Sequence, residues 1–402
     1  MMWVQWRKLR ALLCMGGLLS GLYLPVHANT TAPAASSSPA AATPTQGQSS
    51  GVEVSAVDLS STSKTFSIAL LLPLRSDILR EPAEVLRSGF LAAHERDREG
   101  IVVNIVETGD TPQEILAGYK EAAALNDIVV GPMSRTGVTA VVQSDAVERP
   151  TIALTPPDIP HGAALPANML VVGLSIEEEA RQIADWAASS SGGKVFILFT
   201  GTAWQRRAAA AFDTQWRHRG MEAEQMEIAA NDGFLNGRTL LELKKRFETE
   251  KPAALFLALD ARQARQVRAI IGKDIPLYGT SQLNPFVPGD HPQTERADDM
   301  DGTRLLDIPW QLQADHPAVM VYPRLVANAD ARRTADLERL YALGIDAYRV
   351  AHEVAVGRTR FDIDGVTGKL AVRFDRKATH FERIAQPAVY RDGAVVAAEA
   401  VR

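Results

Sequence analysis

The chain has 402 residues, a formal net charge of -5 at pH 7, 46% hydrophobic residues and 23% charged residues. These values are near the globular average and allow a large buried core. The slight acidity argues against binding to nucleic acid or another polyanion, which normally requires a basic surface. Cys14 is the only cysteine, so an internal disulfide and a zinc site built on several cysteines are excluded.

The N-terminus has the three parts of a secretory signal peptide. Arg7, Lys8 and Arg10 are positively charged, residues 11–24 are apolar, and Ala28 ends a stretch suited to signal peptidase. We expect cleavage after Ala28 and a periplasmic location. No stable membrane anchor is expected, because about 14 apolar residues are too few to span a bilayer.

Two further features describe the region before the fold. Cys14 follows Leu12 and Leu13 at the start of the apolar stretch, whereas a lipid-attachment site has a small residue before its cysteine, so the chain is not an obvious lipoprotein. Residues 29–63 are rich in Ala, Ser, Thr and Pro, which predicts a disordered linker. The signal peptide is therefore 1–28, the linker 29–63 and the folded region 64–402.

The first half of the folded region alternates strand and helix patterns. A continuous apolar run is typical of a strand buried on both faces of a parallel sheet. Strands are predicted at 66–72, 101–106, 128–130, 150–154 and 169–172. Thr111, Pro112 and Glu114 form a helix-start signal, and Ser175 with Glu178 forms a second one.

A second series of alternating strands and helices follows, and the chain then ends in a long helix and short β segments. Further strands are predicted at 195–199, 222–228, 254–258 and 276–279, with helices at 204–217, 240–247 and 262–271. The region 281–312 is rich in Pro and acidic residues, which indicates a long surface excursion. A long helix with a stripe from Leu337 to Tyr348 follows, and then short β segments at 369–374, 388–390 and 395–398. Two successive βα series favour an α/β protein of two doubly wound, Rossmann-like lobes.

The opening of the folded region is similar to the type I periplasmic-binding-protein fold. The similarity lies in the strand and loop 68–74, the segment 88–93 and the glycine-proline turn at 131–132. Five further segments occur in the order seen in the LpoA-type penicillin-binding protein activators of the LppC family. These segments are 173–180, 278–281, 301–302 with 307–310, 339–348 and 365–368.

The resemblance implies the type I fold with three crossings between the lobes. We expect hinges near Gly173, near Leu283, and between Gly357 and Asp364. Lobe one is then about 64–173 and 284–357, and lobe two is about 174–283 and 358–402.

The resemblance also implies a role. It points to a non-enzymatic protein, without a cofactor, that binds and stimulates a class A penicillin-binding protein, a peptidoglycan synthase. Family members also carry an N-terminal helical-repeat domain and a lipidated cysteine. Neither is recognisable here, so we expect a regulator without a tether.

Catalytic and metal motifs are missing from the sequence. There is no G-x-S-x-G, no H-E-x-x-H and no Walker-type phosphate loop. His352 and Glu353 lie on a predicted helix without a second histidine one turn later, which argues against a metal site. We therefore expect no catalytic residue and no bound metal.

A ligand site in this fold class is expected at the carboxyl ends of the strands, in the cleft between the lobes. Ser134 and Thr155 offer hydroxyls for a ligand carboxylate, Asp260 an acid for an ammonium, and Trp204 a stacking surface. The remaining candidates are Arg75, Thr280 and Ser281. Arg75 is bulky where small residues usually leave room, and it offers a second interpretation: an ion pair with Asp260 that holds the cleft shut.

A partner surface is expected on one lobe outside this cleft, and the acidic part of the 281–312 excursion is the candidate. Its acidic residues are Asp290, Glu295, Asp298, Asp299 and Asp301. Such a run is also the ordinary composition of a solvated loop. The segment 307–310, with Pro309 and Trp310, is either a recognition loop or the cover of a core edge.

Three functions remain open at this point. The chain is a periplasmic regulator of a peptidoglycan synthase, a solute-binding protein that serves an ABC transporter with an amino-acid-like ligand, or a scaffold or sensor without a synthase partner. A solute receptor requires a small ligand in the cleft, whereas a regulator does not.

Overall fold

The computed structural model describes residues 65–160, 163–190, 192–288, 296–325, 334–375 and 378–399. The expected signal peptide and linker, 1–63, lie outside these residues. Within the described part, no helix combines the length and the apolar character that a membrane span needs.

The first half of the chain builds a five-stranded parallel sheet with the order β2-β1-β3-β4-β5. The elements are β1 (Phe66–Leu72), α1 (Arg80–Arg96), β2 (Ile101–Glu107), α2 (Pro112–Leu125), β3 (Ile128–Val130), α3 (Arg135–Val142), β4 (Thr151–Ala153) and β5 (Met169–Val171). The predicted β1 is confirmed, because its apolar run is buried on both faces. The helix-start signal is also confirmed: the Thr111 hydroxyl accepts a hydrogen bond from the backbone N–H of Glu114.

The next part contributes most of a second sheet. Its elements are α4 (Ile176–Ser190), β6 (Val195–Phe199), α5 (Ala203–His218), β7 (Ala223–Glu227), β8 (Ala230–Asn231), β9 (Phe234–Leu235), α6 (Gly237–Glu250), β10 (Ala254–Ala258), α7 (Ala261–Ile271) and β11 (Leu277–Gly279). The short strands β8 and β9 form a hairpin outside the sheet. Ser175 caps α4 as expected, since its hydroxyl accepts from the N–H of Glu178.

The C-terminal part completes this sheet and adds a third. It contains β12 (Arg304–Asp307), α8 (Pro309–Leu312), α9 (Pro317–Met320), α10 (Ala335–Ala355), β13 (Arg360–Asp364), β14 (Lys369–Asp375), β15 (Ala378–Ile384), β16 (Gln386–Arg391) and β17 (Ala394–Ala397). The second sheet has the order β17-β16-β12-β11-β10-β6-β7, and β13, β14 and β15 form an antiparallel sheet of their own.

The expected surface excursion and two of the expected hinges need correction. The strand β12 lies buried beside β11 in the second sheet rather than on the surface. The apolar residues of β13 and β14 pack in the core of the first sheet, not the second. The strand pattern of β12 was hidden by its Pro-rich and acidic flanks.

The chain therefore passes between the two cores at three places, which we call the crossing segments: 172–175, 307–308 and 384–386. Val172 packs in the first core and Ala180 in the second. Leu306 packs in the second core and Ile308 in the first, while Ala385 returns to the second. The first crossing includes Gly173, near which the resemblance places a hinge. The second lies after β12 rather than near Leu283, and the third follows β15 rather than preceding β13.

Helices α1 and α10 pack directly against each other in the first core. A Cβ placed on Gly89 of α1 would lie 2.0 Å from the carbonyl oxygen of Tyr341. A Cβ placed on Gly344 of α10 would lie 2.1 Å from the carbonyl oxygen of Leu86. Both glycines are needed because each helix backbone fills the space that a side chain on the other would occupy.

Candidate functional site

The second crossing segment is fixed by a buried ion pair between Asp307 and Arg339. Asp307 ends β12 and is 1% exposed, whereas Arg339 lies in the first turns of α10 and is 5% exposed. The Arg339 Nη2 and Nε donate to the two carboxylate oxygens of Asp307 at 2.7 and 3.0 Å. Burial opposes the charge of Arg339, but the attraction of Asp307 outweighs it and raises the pKa of Arg339.

The same guanidinium also holds the chain after β11. Arg339 Nη2 donates to the carbonyl oxygens of Ser281 and Asn284 at 2.9 and 3.0 Å. The Asn284 amide in turn donates to Asp307 at 2.8 Å. Helix α10 of the first core is thus tied to two strand ends of the second sheet.

A second carboxylic acid, Glu179 of α4, lies beside this pair. Its Oε2 accepts the backbone N–H of Ser281 at 2.8 Å. Burial, together with repulsion from Asp307, raises the pKa of Glu179 from an ordinary 4.5 to about 7. Glu179 therefore changes its charge in the neutral range.

This shift predicts a pH dependence of stability. The folded state holds the Glu179 proton more tightly than the unfolded chain, so the free energy of unfolding should fall as pH rises from 4.5 to 7. The loss should be up to about 3 kcal/mol, since each pKa unit is worth about 1.4 kcal/mol. Equilibrium urea unfolding at several pH values measures it.

Two variants test whether Glu179 causes this pH dependence of the free energy of unfolding. Glu179→Gln should flatten the slope between pH 4.5 and 7. Glu178→Gln is the control: it removes the neighbouring carboxylate, which is partly exposed and pairs with Arg181, and it should keep the slope. An unchanged slope in Glu179→Gln would show that Glu179 is not the titrating group.

Arg383 of β15 fixes the first crossing segment. Its Nη1 and Nη2 donate to the carbonyl oxygens of Gly173 and Val172 at 2.8 and 2.7 Å, and its Nε donates to the Thr367 hydroxyl at 3.0 Å. Burial lowers the pKa of Arg383 to about 10. That hydroxyl donates to Asp346 of α10 at 2.6 Å, so Asp346 has a structural role in this contact.

Gln182 of α4 fixes the third crossing segment. Its side-chain amide donates to the carbonyl oxygen of Arg383 at 2.7 Å and accepts from the N–H of Ala385 at 3.1 Å. All three crossing segments are therefore held by side chains from a neighbouring element.

Glu177 adds a contact between α3 of the first lobe and α5 of the second. Its Oε1 accepts from Arg135 at 3.1 Å and from Arg207 at 2.7 Å. Burial alone would raise the pKa of Glu177, but its own backbone N–H and the two guanidinium groups lower it. This bridge joins the lobes at the first turns of three helices.

The cleft candidates of lobe one occupy separate local positions. Arg75 follows β1 and is exposed. The Ser134 hydroxyl caps α3 by accepting the N–H of Gly137 at 3.2 Å. Thr155 is half-buried just beyond β4.

In lobe two, Trp204 is half-buried in the first turn of α5. Asp260 caps α7, where its carboxylate accepts the N–H of Gln263 at 2.8 Å. Thr280 is fully buried, and its hydroxyl has no hydrogen-bond partner among the described residues. Ser281 is buried, with both of its backbone polar groups bonded to Glu179 and Arg339.

These positions correct one interpretation. No ion pair joins Arg75 and Asp260 in the described part of the chain, and the Asp260 carboxylate serves as a helix cap. The Ser134 hydroxyl is likewise engaged in a cap. A ligand site in this cleft remains a hypothesis that would require both caps to serve a second purpose.

The acidic candidate surface divides into residues with different roles. Asp290 and Glu295 lie outside the described residues. Asp299 pairs with Arg265 of α7 at 2.9 Å, and Asp301 accepts the N–H of Gly393 at 2.9 Å. Asp298 is exposed and pairs with Arg296 at 3.3 Å. Asp298 is therefore the described acid whose charge is most available to a partner.

The neighbouring segment 307–310 covers a core edge rather than forming an exposed loop. Trp310 is fully buried, and its indole N–H donates to Glu338 at 2.7 Å. Its ring lies 5.3 Å from that of Tyr341. The aromatic residue thus anchors the second crossing segment to α10.

The residues that join the lobes were not among the expected site residues, although a signal for them existed. Glu177, Glu179, Asp307, Arg339 and Asp346 all lie in the five segments that carry the family resemblance. The resemblance marks these segments, but only the three-dimensional structure shows that they meet at the crossings.

Comparison with protein families shows to which family the chain belongs. A family model described as "LppC putative lipoprotein" matches residues 51–393, which is most of the sequence. The chain belongs to the LppC family. The match includes all three crossing segments and every strand of the two large sheets except β17.

Curated relatives in this family are named penicillin-binding protein activator LpoA. The one from Haemophilus ducreyi is 25% identical over 312 residues, which are 76% of this chain and 50% of the relative. The one from Vibrio cholerae is 23% identical over 343 residues, 77% of this chain and 55% of the relative. The chain thus spans about half the length of the curated relatives it matches.

Solved structures confirm the expected fold. The LpoA C-domain from Haemophilus influenzae, described as a regulator of PBP1A, has a TM-score of 0.64 and 20% identity, over 83% of this chain and 100% of that one. A protein from Chromobacterium violaceum, described as a "putative branched-chain amino acid ABC transporter", has a TM-score of 0.63 and 35% identity, over 81% of this chain and 100% of that one. The chain therefore shares its fold with an LpoA C-domain and with a protein described as an ABC transporter.

Proposed function

We propose that this LppC-family protein is a non-enzymatic periplasmic regulator that binds and stimulates a class A penicillin-binding protein. The observation that carries the proposal is the match of the family model over residues 51–393. The relatives named as activators, and the related C-domain described as a regulator of PBP1A, support the choice of partner.

The geometry of the crossing segments supports a regulator that acts by surface contact. Asp307, Arg339, Arg383 and Gln182 hold these segments with buried hydrogen bonds. A solute receptor that closes around its ligand needs hinges that absorb backbone rotation. A regulator instead needs an orientation of surface groups that favours one state of its partner.

A pull-down of purified protein with class A penicillin-binding proteins, combined with a glycan-polymerisation assay, tests the proposal. Binding that accelerates polymerisation is the expected result. Absence of binding at high micromolar concentration, for every class A synthase of the source organism, would overturn it.

Charge reversal tests the candidate partner surface. Asp298→Lys should weaken synthase binding several-fold if the surface around Asp298 contacts the partner, because an exposed rim charge acts mainly on association. Glu248→Lys, at an exposed position of α6, is the control and should bind normally. Equal affinity of both variants would remove Asp298 from the interface.

A second candidate function is that of a solute-binding protein for an ABC transporter with an amino-acid-like ligand. The 35% identity with the Chromobacterium violaceum protein over that protein's whole length favours it. Saturable binding of a branched-chain amino acid that is lost in Thr155→Trp, with no effect on a synthase, would support this function over the first.

A further inference from the structure

A cavity of about 350 Å³ opens between α4, β15 and the first crossing segment. This volume lies in the range of small-molecule sites. Val171, Leu174, Ile308 and Phe381 form the apolar part of its wall. None of the seven cleft candidates lines it, although its wall includes Pro156, which directly follows Thr155.

Arg383 supplies a buried positive charge on one wall of this cavity. The residue is 8% exposed, and no carboxylate pairs with it in the described part of the chain. Its hydrogen bonds to Thr367, Gly173 and Val172 leave N–H donors of the five-donor guanidinium fork for another acceptor. Burial lowers the pKa of Arg383 even though the charges of Asp346 and Glu179 act against that shift, so an anionic group of a ligand would stabilise this cation further.

Glu179 supplies an acid on the wall of the same cavity. It bonds to the N–H of Ser281 and forms no ion pair with Arg383 within the described residues. The wall also includes His380, Glu382 and the pair Glu178 and Arg181, which contact each other at 2.7 Å. Arg383 and Glu179 differ from that pair in that each is held in place by backbone groups. Such an arrangement suits a ligand that carries both charges.

We infer that this cavity binds a small zwitterion, with its carboxylate on Arg383, its ammonium on Glu179 and its apolar side chain against Leu174, Ile308 and Phe381. The ligand class is a free amino acid or a short peptide whose ends reach both groups. The site does not depend on the proposed function, and its occupant would contact the first crossing segment through Arg383.

Three molecules of one shape test the charge requirement: leucine, 4-methylpentanoate without the ammonium, and 3-methylbutylamine without the carboxylate. Methyl NMR of the purified protein follows Val171, Leu174 and Ile308 during each titration. We expect saturable shifts of these methyl groups with leucine, and affinities weaker by about tenfold or more for the two single-charge probes. An alanyl-leucine titration distinguishes a peptide ligand from a free amino acid.

Variants of the protein test whether leucine binds in this cavity. Leu174→Trp fills the cavity from its wall and should abolish leucine binding, whereas Leu241→Trp, at an exposed position of α6, should leave it unchanged. Glu179→Gln should weaken leucine but not 4-methylpentanoate. The inference is overturned if leucine shifts none of the three methyl groups at millimolar concentration, or if Leu174→Trp binds leucine normally.

Discussion

Arg339→Met is expected to lower the free energy of unfolding by about 3–5 kcal/mol, the usual cost of removing one member of a buried ion pair. The substitution leaves the Asp307 carboxylate, which is 1% exposed, without its cationic partner. It also removes the donor to the carbonyl oxygens of Ser281 and Asn284. Equilibrium urea unfolding followed by tryptophan fluorescence measures the loss.

The two aspartates bonded to Arg339 provide a matched control. The Asp307 side chain is inaccessible, whereas that of Asp336 is 68% exposed. Asp307→Asn should therefore cost several kcal/mol, and Asp336→Asn less than about 1 kcal/mol, as for an exposed ion pair. Similar losses in both variants would show that burial does not set the strength of this contact.

A double variant tests whether Arg339 and Asp307 stabilise the protein through their contact with each other. Arg339→Met combined with Asp307→Leu removes both charges, so neither is left buried alone. The combined loss should be smaller than the sum of the two single losses, because groups in direct contact are not independent. Additive losses would mean that each residue acts through separate contacts.

The parts of this fold that a sequence predicts are those encoded locally. The strand β1 could be predicted from an uninterrupted apolar run, and the start of α2 from Thr111 and Pro112. The strand β12 was missed because its four residues lie between a Pro-rich acidic segment and Pro309. Its assignment depends on pairing with β11, which a local pattern does not encode.

The contacts of the candidate site were harder to predict from the sequence than the strands and helices. Strand ends pointed to Ser134 and Asp260, but both side chains cap the helix that follows. The contacts that hold the lobes join residues far apart in the chain: Arg383 is 210 positions from Gly173, and Arg339 is 32 from Asp307. A single sequence carries no direct record of such pairs, although family-like segments mark most of the participants.

Gly89→Ala and Gly344→Ala are expected to destabilise the protein by about 3 kcal/mol each, at the upper end of the range for overpacking. Each new methyl group would meet a backbone carbonyl at about 2 Å, and a backbone carbonyl in a packed helix cannot rotate away. The usual gain of up to about 1 kcal/mol for Gly→Ala inside a helix is therefore reversed in sign. Urea unfolding of each variant measures the effect.

Gly237 of α6 is the control for this sign reversal. A Cβ at that position meets nothing within 4 Å, so Gly237→Ala should be neutral or slightly stabilising. The double variant of Gly89 and Gly344 adds a further test. Once one methyl group has forced α1 and α10 apart, the second finds part of the space already open, so the combined loss should be less than additive. Full additivity would mean that the helices do not move as rigid units, and that each clash is relieved by local distortion around its own carbonyl.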